Sequence, residues 1–212
     1  MGLLRYASYL AASGRLDAAL IEALRAQELD PVSLAVNSEL ARIYYWNRHY
    51  DQAVAAFRHT IDLDPAYAGA HLRLGIVYVV QKDYSDAVRE LTEAKQLFPR
   101  DTEADGLLGY THALEGNTMV AYRFLEGLKQ RSNREYVSKY AISLIYLGLG
   151  DRAAALDWLA KAAGEHSPGI TFIGVDPLFD PVRSDSRFVT LLAKTGLRNL
   201  QAQNLPAALN KP

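Results

Sequence analysis

Three prolines that each follow a polar or aromatic residue, Pro31, Pro65 and Pro99, stand 34 residues apart, twice over. A fixed internal period constrains a fold more than any single motif, because each period must be one structural unit packed on its neighbours. Sliding the chain on this period aligns Ala19, Ala53, Ala87, Ala121 and Ala155. A second column is small throughout: Ala7, Ala41, Gly75, Gly109 and Ser143. Three further columns are large and mostly apolar. They run Tyr6, Leu40, Leu74, Leu108, Ile142, then Leu10, Tyr44, Tyr78, His112, Tyr146, then Ala23, Phe57, Leu91, Leu125, Leu159.

Within each unit the apolar positions recur at helical spacing, in two runs of roughly 12 residues. A short polar turn separates the runs, as in Ser13-Gly14-Arg15, Asn47-Arg48-His49, Gln81-Lys82-Asp83, Glu115-Gly116-Asn117 and Gly148-Leu149-Gly150-Asp151. The small column falls on the first helix and the alanine column on the second. Helices approach to about 8 Å only where side chains at the crossing are small. One close crossing, repeated five times, is the expectation. Proline after the second helix ends it and biases the preceding residue to extended geometry.

These columns resemble the tetratricopeptide repeat (TPR), whose usual form has Leu-Gly then Tyr on the first helix and Ala, Phe, Ala, Pro on the second. The best matches are Leu74-Gly75-Tyr78-Ala87-Leu91-Ala94-Pro99 and Leu40-Ala41-Tyr44-Ala53-Phe57-Pro65. The resemblance covers about residues 1–167. It departs at the family's early Trp, where Leu3, Asn37, His71, Asp105 and Lys139 stand, and at the final proline of unit four, where Asn133 stands. In unit five Ser167 stands there and Pro168 comes one place late. The fold implied is all-α: a right-handed superhelical solenoid of about five helix-turn-helix units (1–33, 34–67, 68–101, 102–135, 136–167) plus a C-terminal capping helix.

Residues 168–183 break the period with Pro168, Gly169, Gly174, Pro177 and Pro181. Asp176-Pro177 and Asp180-Pro181 read as turns, too ordinary a use of Asp to nominate a catalytic pair. Between the turns Ile170, Phe172, Ile173, Val175, Leu178 and Phe179 supply apolar mass. Ser184-Asp185 offers an N-cap for a helix carrying Phe188, Leu191 and Leu192 and ending at Gly196. A terminal repeat has an open apolar face, and 168–197 is expected to cover it. The stretch from Val175 to Asp185, with Arg187-Phe188 and Gly196-Leu197, is similar to the tail that closes TPR regions of bacterial multidomain signalling proteins. Residues 198–212 are expected to be a flexible tail. Unit one begins at Met1 with no cap before it, so either its outer face takes a preceding segment or a second copy, or its first helix simply frays.

In the TPR family the first helices line a concave inner surface. Carried over residue by residue, that resemblance nominates Ser38, Arg42, Tyr45 and Trp46 from unit two, and Leu72, Ile76, Val79 and Val80 from unit three. Unit four adds Gly106, Tyr110 and Ala113; unit five adds Tyr140 and Leu144. Some relatives clamp a C-terminal carboxylate with Lys and Asn on these positions; here only Arg42 could serve. The wall is apolar and aromatic, which suits an amphipathic helix or an extended hydrophobic segment. Tyr44, Tyr78 and Tyr146, by contrast, are expected in the core.

Composition narrows the function. Among 212 residues, Lys plus Arg number 23 and Asp plus Glu 24, for a net charge of −1. A nucleic-acid surface carries a basic excess, which is missing here. There is no cysteine, hence no disulfide, thiolate metal site or Cys nucleophile. The five histidines show no metal-ligand spacing, and Gly148-Leu149-Gly150 lies in an inter-helix turn rather than after a strand, so no dinucleotide loop is expected. No run is apolar enough to insert in a membrane, and no signal-peptide pattern is present, which points to the cytoplasm. The expectation is a non-catalytic interaction scaffold without cofactor or metal, binding a protein or peptide. The alternatives are a regulatory segment of a larger signalling protein (kinase, winged-helix regulator or cyclase) and a self-association module working through unit one.

Overall fold

The structure, a computed structural model, describes residues 2–196; the predicted tail 198–212 lies outside them. Ten helices form five antiparallel pairs. They are α1 (Gly2–Ala12) with α2 (Leu16–Leu29), α3 (Leu34–Trp46) with α4 (Tyr50–Leu63), and α5 (Ala68–Gln81) with α6 (Tyr84–Leu97). Then come α7 (Thr102–Leu114) with α8 (Thr118–Arg131) and α9 (Lys139–Gly148) with α10 (Arg152–Gly164). Two 3₁₀ turns follow, Pro168–Phe172 and Pro177–Val182, and then α11 (Ser186–Lys194). No strand occurs among the described residues.

The five inter-helix turns are one motif. Gly14, Arg48, Lys82, Gly116 and Gly150, spaced 34 apart, all have positive φ, between 63° and 90°. In each turn the next residue's N–H bonds back five residues. Arg15 N–H reaches Leu10 O at 2.9 Å, His49 reaches Tyr44 O at 2.9 Å and Asp83 reaches Tyr78 O at 2.9 Å. Asn117 reaches His112 O at 2.8 Å and Asp151 reaches Tyr146 O at 3.0 Å. The left-handed residue's own N–H bonds back three residues, as from Gly116 to Ala113 O at 3.1 Å. This is the Schellman ending, which satisfies the last carbonyls of the first helix and reverses the chain.

The crossings close as the small columns require. The five alanines 19, 53, 87, 121 and 155 are at most 4% exposed. A Cβ on Gly75 would come within 2.7 Å of Leu91 Cγ, and one on Gly109 within 2.8 Å of Ile145 Cδ1. Tyr78 is buried, while Tyr44 and Tyr146 are half-buried against the core. Where the family's Trp is missing, polar side chains pin one unit to the next. Asn37, fully buried, donates to Pro31 O at 2.7 Å and accepts from Gln27 Nε2 at 2.8 Å. His71 sets Nε2 3.1 Å from Pro65 O and Nδ1 2.8 Å from Glu90 Oε2. Asp105 is paired with both Lys95 and Arg131. Arg131, the last residue of α8, is thereby tied to α7.

One junction is irregular. Besides pairing with its own second helix, each of α3, α5 and α7 meets the preceding unit mainly through that unit's second helix, whereas α9 meets it chiefly through the first helix, α7. The loop from 132 to 138 replaces the missing proline stop, and Gly106 lets α9 close in: a Cβ there would lie 2.7 Å from Ala141 Cα.

Gly116 has φ +90° and open space around its missing Cβ, so Gly116→Ala costs only conformational strain, about 1–2 kcal/mol. Gly127, inside α8, also has open space, and Gly127→Ala should add about 0.5–1 kcal/mol through helix propensity. Urea denaturation of the two variants is expected to give shifts of opposite sign.

Candidate functional site

The first helices α1, α3, α5, α7 and α9 touch in succession and form the concave wall. That wall is not bare. Residues 168–182 lie along it as a strap, with Pro168–Phe172 approaching both α10 and α1. Phe172 stacks on Trp46 with centroids 4.4 Å apart and planes 17° apart. The Arg42 guanidinium lies within cation–π distance of both rings, 4.6 Å from the Trp46 centroid and 4.8 Å from that of Phe172. Tyr45 Oη donates to Asp176 Oδ1 at 2.6 Å, and Leu178 N–H donates to the same oxygen at 2.9 Å. Phe179 packs on Tyr140 at 5.8 Å and stacks on Phe188 of α11 at 5.8 Å. At the rim Arg48 grips Asp180 with both terminal nitrogens, at 2.8 and 3.0 Å. Arg183 donates to the carbonyls of Gly174 and Asp176 and so holds the strap's own curve.

Beneath the strap runs a line of charge. Ser8 Oγ donates to Glu39 Oε1 at 2.6 Å, Glu39 pairs with Arg42 at 2.8 Å, and Arg73 pairs with Glu103 at 3.0 Å. A cavity of about 240 Å³ remains between floor and strap, lined by Arg42, Trp46, Arg73, Glu103, Tyr140, Gly169, Phe172 and Asp176 among others. Burial lowers the Arg42 pKa against the pull of Glu39. Burial also acts to lower that of Arg73, but Glu103, Tyr140 and Asp176 bring it above its ordinary value. Burial pushes Asp176 up from its ordinary value of 3.8, against the hydrogen bond from Tyr45 that acts downward. Tyr45 and Tyr140 are raised well above 10 by burial and then by the Asp176 charge.

The nominated residues thus fall into two groups. Arg42, Tyr45, Trp46 and Tyr140 touch the strap directly, and Ile76 lines the cavity with them. Ser38, Leu72, Val79, Tyr110 and Leu144 are buried, and Val80 is half-buried. Gly106 and Ala113 are buried as well, Gly106 serving the α7–α9 approach. Arg73 and Glu103 were not nominated, although Arg73 stands one period after Glu39. Arg48, Phe172, Asp176, Phe179 and Asp180 were read only as turn or covering residues. Among the described residues no three His, Asp or Glu side chains cluster to hold a metal, and no helix is long and apolar enough to cross a membrane.

Paired helices with these columns define a class, and comparison with known proteins agrees. Residues 47–109 match the family model described as tetratricopeptide repeat. A TPR protein of Thermus thermophilus, TTC0263, superposes with a TM-score of 0.65 at 24% identity, over 94% of this chain and 98% of that one. YrrB, described as a TPR protein with an unusual peptide-binding site, gives 0.51 at 22% identity, over 81% and 89%. The Thermobaculum terrenum O-GlcNAc transferase gives 0.54 at 21% identity over 60% of this chain, which spans only 26% of that enzyme. No curated protein matches the sequence. The chain has the fold of a tetratricopeptide-repeat solenoid.

Two variants probe the strap's buried anchor. A carboxyl whose pKa is raised by folding adds stability that is full below 3.8 and is lost as pH rises through its folded value. Wild type should therefore lose stability relative to Asp176→Asn as pH rises from about 4, read as urea midpoints; parallel curves would contradict this. Tyr45→Phe leaves that carboxylate short of a donor and should cost about 1–3 kcal/mol at neutral pH.

Proposed function

We propose that this chain is a non-catalytic scaffold that binds a protein or peptide segment on its concave wall, chiefly through apolar and aromatic burial around Arg42, Tyr45, Trp46, Ile76 and Tyr140. The supporting observation is the strap itself. Residues 168–182 are a short, irregular peptide held by stacking on Trp46, by a hydrogen bond from Tyr45 and by contact with Tyr140. A wall that seats such a segment within one chain has the chemistry to seat another. YrrB, with the same fold, is described as having a peptide-binding site. Ser38, Leu72, Val79, Val80, Tyr110 and Leu144 support this wall from within. The small net charge of −1 speaks against nucleic acid as the ligand.

Random peptides displayed on phage and selected on the intact chain supply the test. Selected peptides are expected to bind Arg42→Gln at least about tenfold more weakly than wild type, a difference of about 1.4 kcal/mol. Selected peptides indifferent to Arg42 and to Ile76→Ala would remove the groove reading.

Self-association has its own observation. Tyr6 and Leu29 on unit one are exposed and border a cavity of about 570 Å³ formed with Leu3, Leu4, Ala26 and Val36. Light scattering at rising concentration decides it: a mass that stays at the monomer value excludes this second reading.

A further inference from the structure

The strap is anchored unevenly. From Gly174 to Arg183 it is pinned by Asp176 to Tyr45, by Asp180 to Arg48 and by Arg183 to two of its own carbonyls. Val175, Leu178, Phe179 and Val182 are each at most 5% exposed. That half is core. Residues 168–172 differ: Pro168 and Thr171 are exposed, Gly169 and Phe172 are half-buried, and only Ile170 is buried. The side-chain tie beside this end is a long Tyr136–Ser167 hydroxyl contact of 3.4 Å, while the Phe172 carbonyl accepts from the N–H groups of Val175 and Asp176 at 3.0 Å, so the hinge of this half lies at Phe172 and its ring is held by stacking and by Arg42. The 240 Å³ cavity lies directly behind this half, with Gly169 and Phe172 in its wall and Arg73 and Glu103 in its floor.

Resting on the groove reading above, we infer that Pro168–Phe172 is a lid and that Phe172 holds the place of an aromatic side chain from a partner. The seat is specific in chemistry. Trp46 offers a flat face at stacking distance, and Arg42 contacts both rings. Aromatic stacking and cation–π contact together favour Phe, Tyr or Trp over an aliphatic side chain of equal area. The cavity behind gives room for the residue next to the incoming ring. The partner is thus a flexible protein segment that presents an aromatic side chain. It binds by displacing Phe172 while Gly174–Arg183 stays in place. A tethered occupant lowers the apparent affinity for the outside one by the fraction of time the seat stands empty.

The chain's two tryptophans make the seat readable. In a Trp158→Phe background Trp46 is the sole tryptophan, only 4% exposed, and excitation at the red edge of the band reads it apart from the tyrosines. The probes are the acetylated peptide Gly-Ile-Thr-Phe-Ile-Gly, which copies residues 169–174, and its Phe→Ala analogue. With Phe172→Ala, Trp46 should become accessible to acrylamide. The Phe probe should restore its protection and bind at least about tenfold more tightly than to the parent, whereas the Ala probe binds neither. Pro168→Gly, which loosens the lid's backbone and leaves Phe172 and its seat unchanged, should shift quenching and probe binding in the same direction. Equal quenching and equal probe affinity in parent and both variants would overturn the lid. So would a Phe172→Ala protein that ignores the probe and regains Trp46 protection only by dimerising, since the seat would then belong to a second copy. The groove reading fails separately, when phage-selected peptides bind without altering Trp46 quenching.

Discussion

Everything in this solenoid depends on how each helix pair reverses. The first helix must end abruptly, and the second must return close enough to share a crossing of small side chains. The left-handed residue at positions 14, 48, 82, 116 and 150 performs the reversal, and the small columns permit the approach. Neither suffices alone. A bulkier residue at Gly75 would drive the pair apart at Leu91, and a turn without positive φ would leave carbonyls of the first helix unsatisfied. Because the same geometry recurs every 34 residues, each unit presents its first helix to the same side. A continuous concave wall is the consequence.

The repeat was legible because these demands act on neighbouring residues. Alanine at 19, 53, 87, 121 and 155 marks each crossing, and glycine at 14, 116 and 150 marks three of the reversals. Arg48 and Lys82 carry no such mark, since their side chains hide a left-handed backbone that tertiary packing enforces. The polar column at 37, 71 and 105 looked like a loss of family character. It is instead a set of ties across units, and such ties are invisible until the partner helix is in place. The strap was the least legible of all. Tyr45 and Asp176 are 131 residues apart, and nothing local to either predicts the other. Asp176 as a turn opener was a sound reading of its backbone, since it does cap Pro177–Val182. Its second oxygen contact, from Tyr45, follows only from the wall's curvature.

The irregular junction explains how the strap reaches its seat. Between units four and five the proline stop is absent, with Asn133 in its place, and α9 packs chiefly on α7 rather than α8. Tyr140, near the start of α9, is thereby brought beneath both Gly169 and Phe179. Had unit five followed the regular register, α9 would meet unit four mainly through α8, as α7 meets unit three through α6. The departures from the repeat therefore cluster where the chain turns back on its own wall.

Charge on that wall makes the strap's division into two halves intelligible. Arg42 and Arg73 each have a carboxylate partner on the floor, so the wall presents aromatic faces bordered by neutralised ion pairs rather than a net field. Such a surface discriminates by shape and ring stacking, and it gains little from long-range attraction. A carboxylate brought against it must find its own donor, as Asp176 does in Tyr45. The inner half of the strap meets that demand and is buried; the outer half offers one ring and no buried ion. An incoming segment of the kind proposed would therefore compete most readily for the seat of Phe172, where the exchange would swap one aromatic contact for another and uncover no charge.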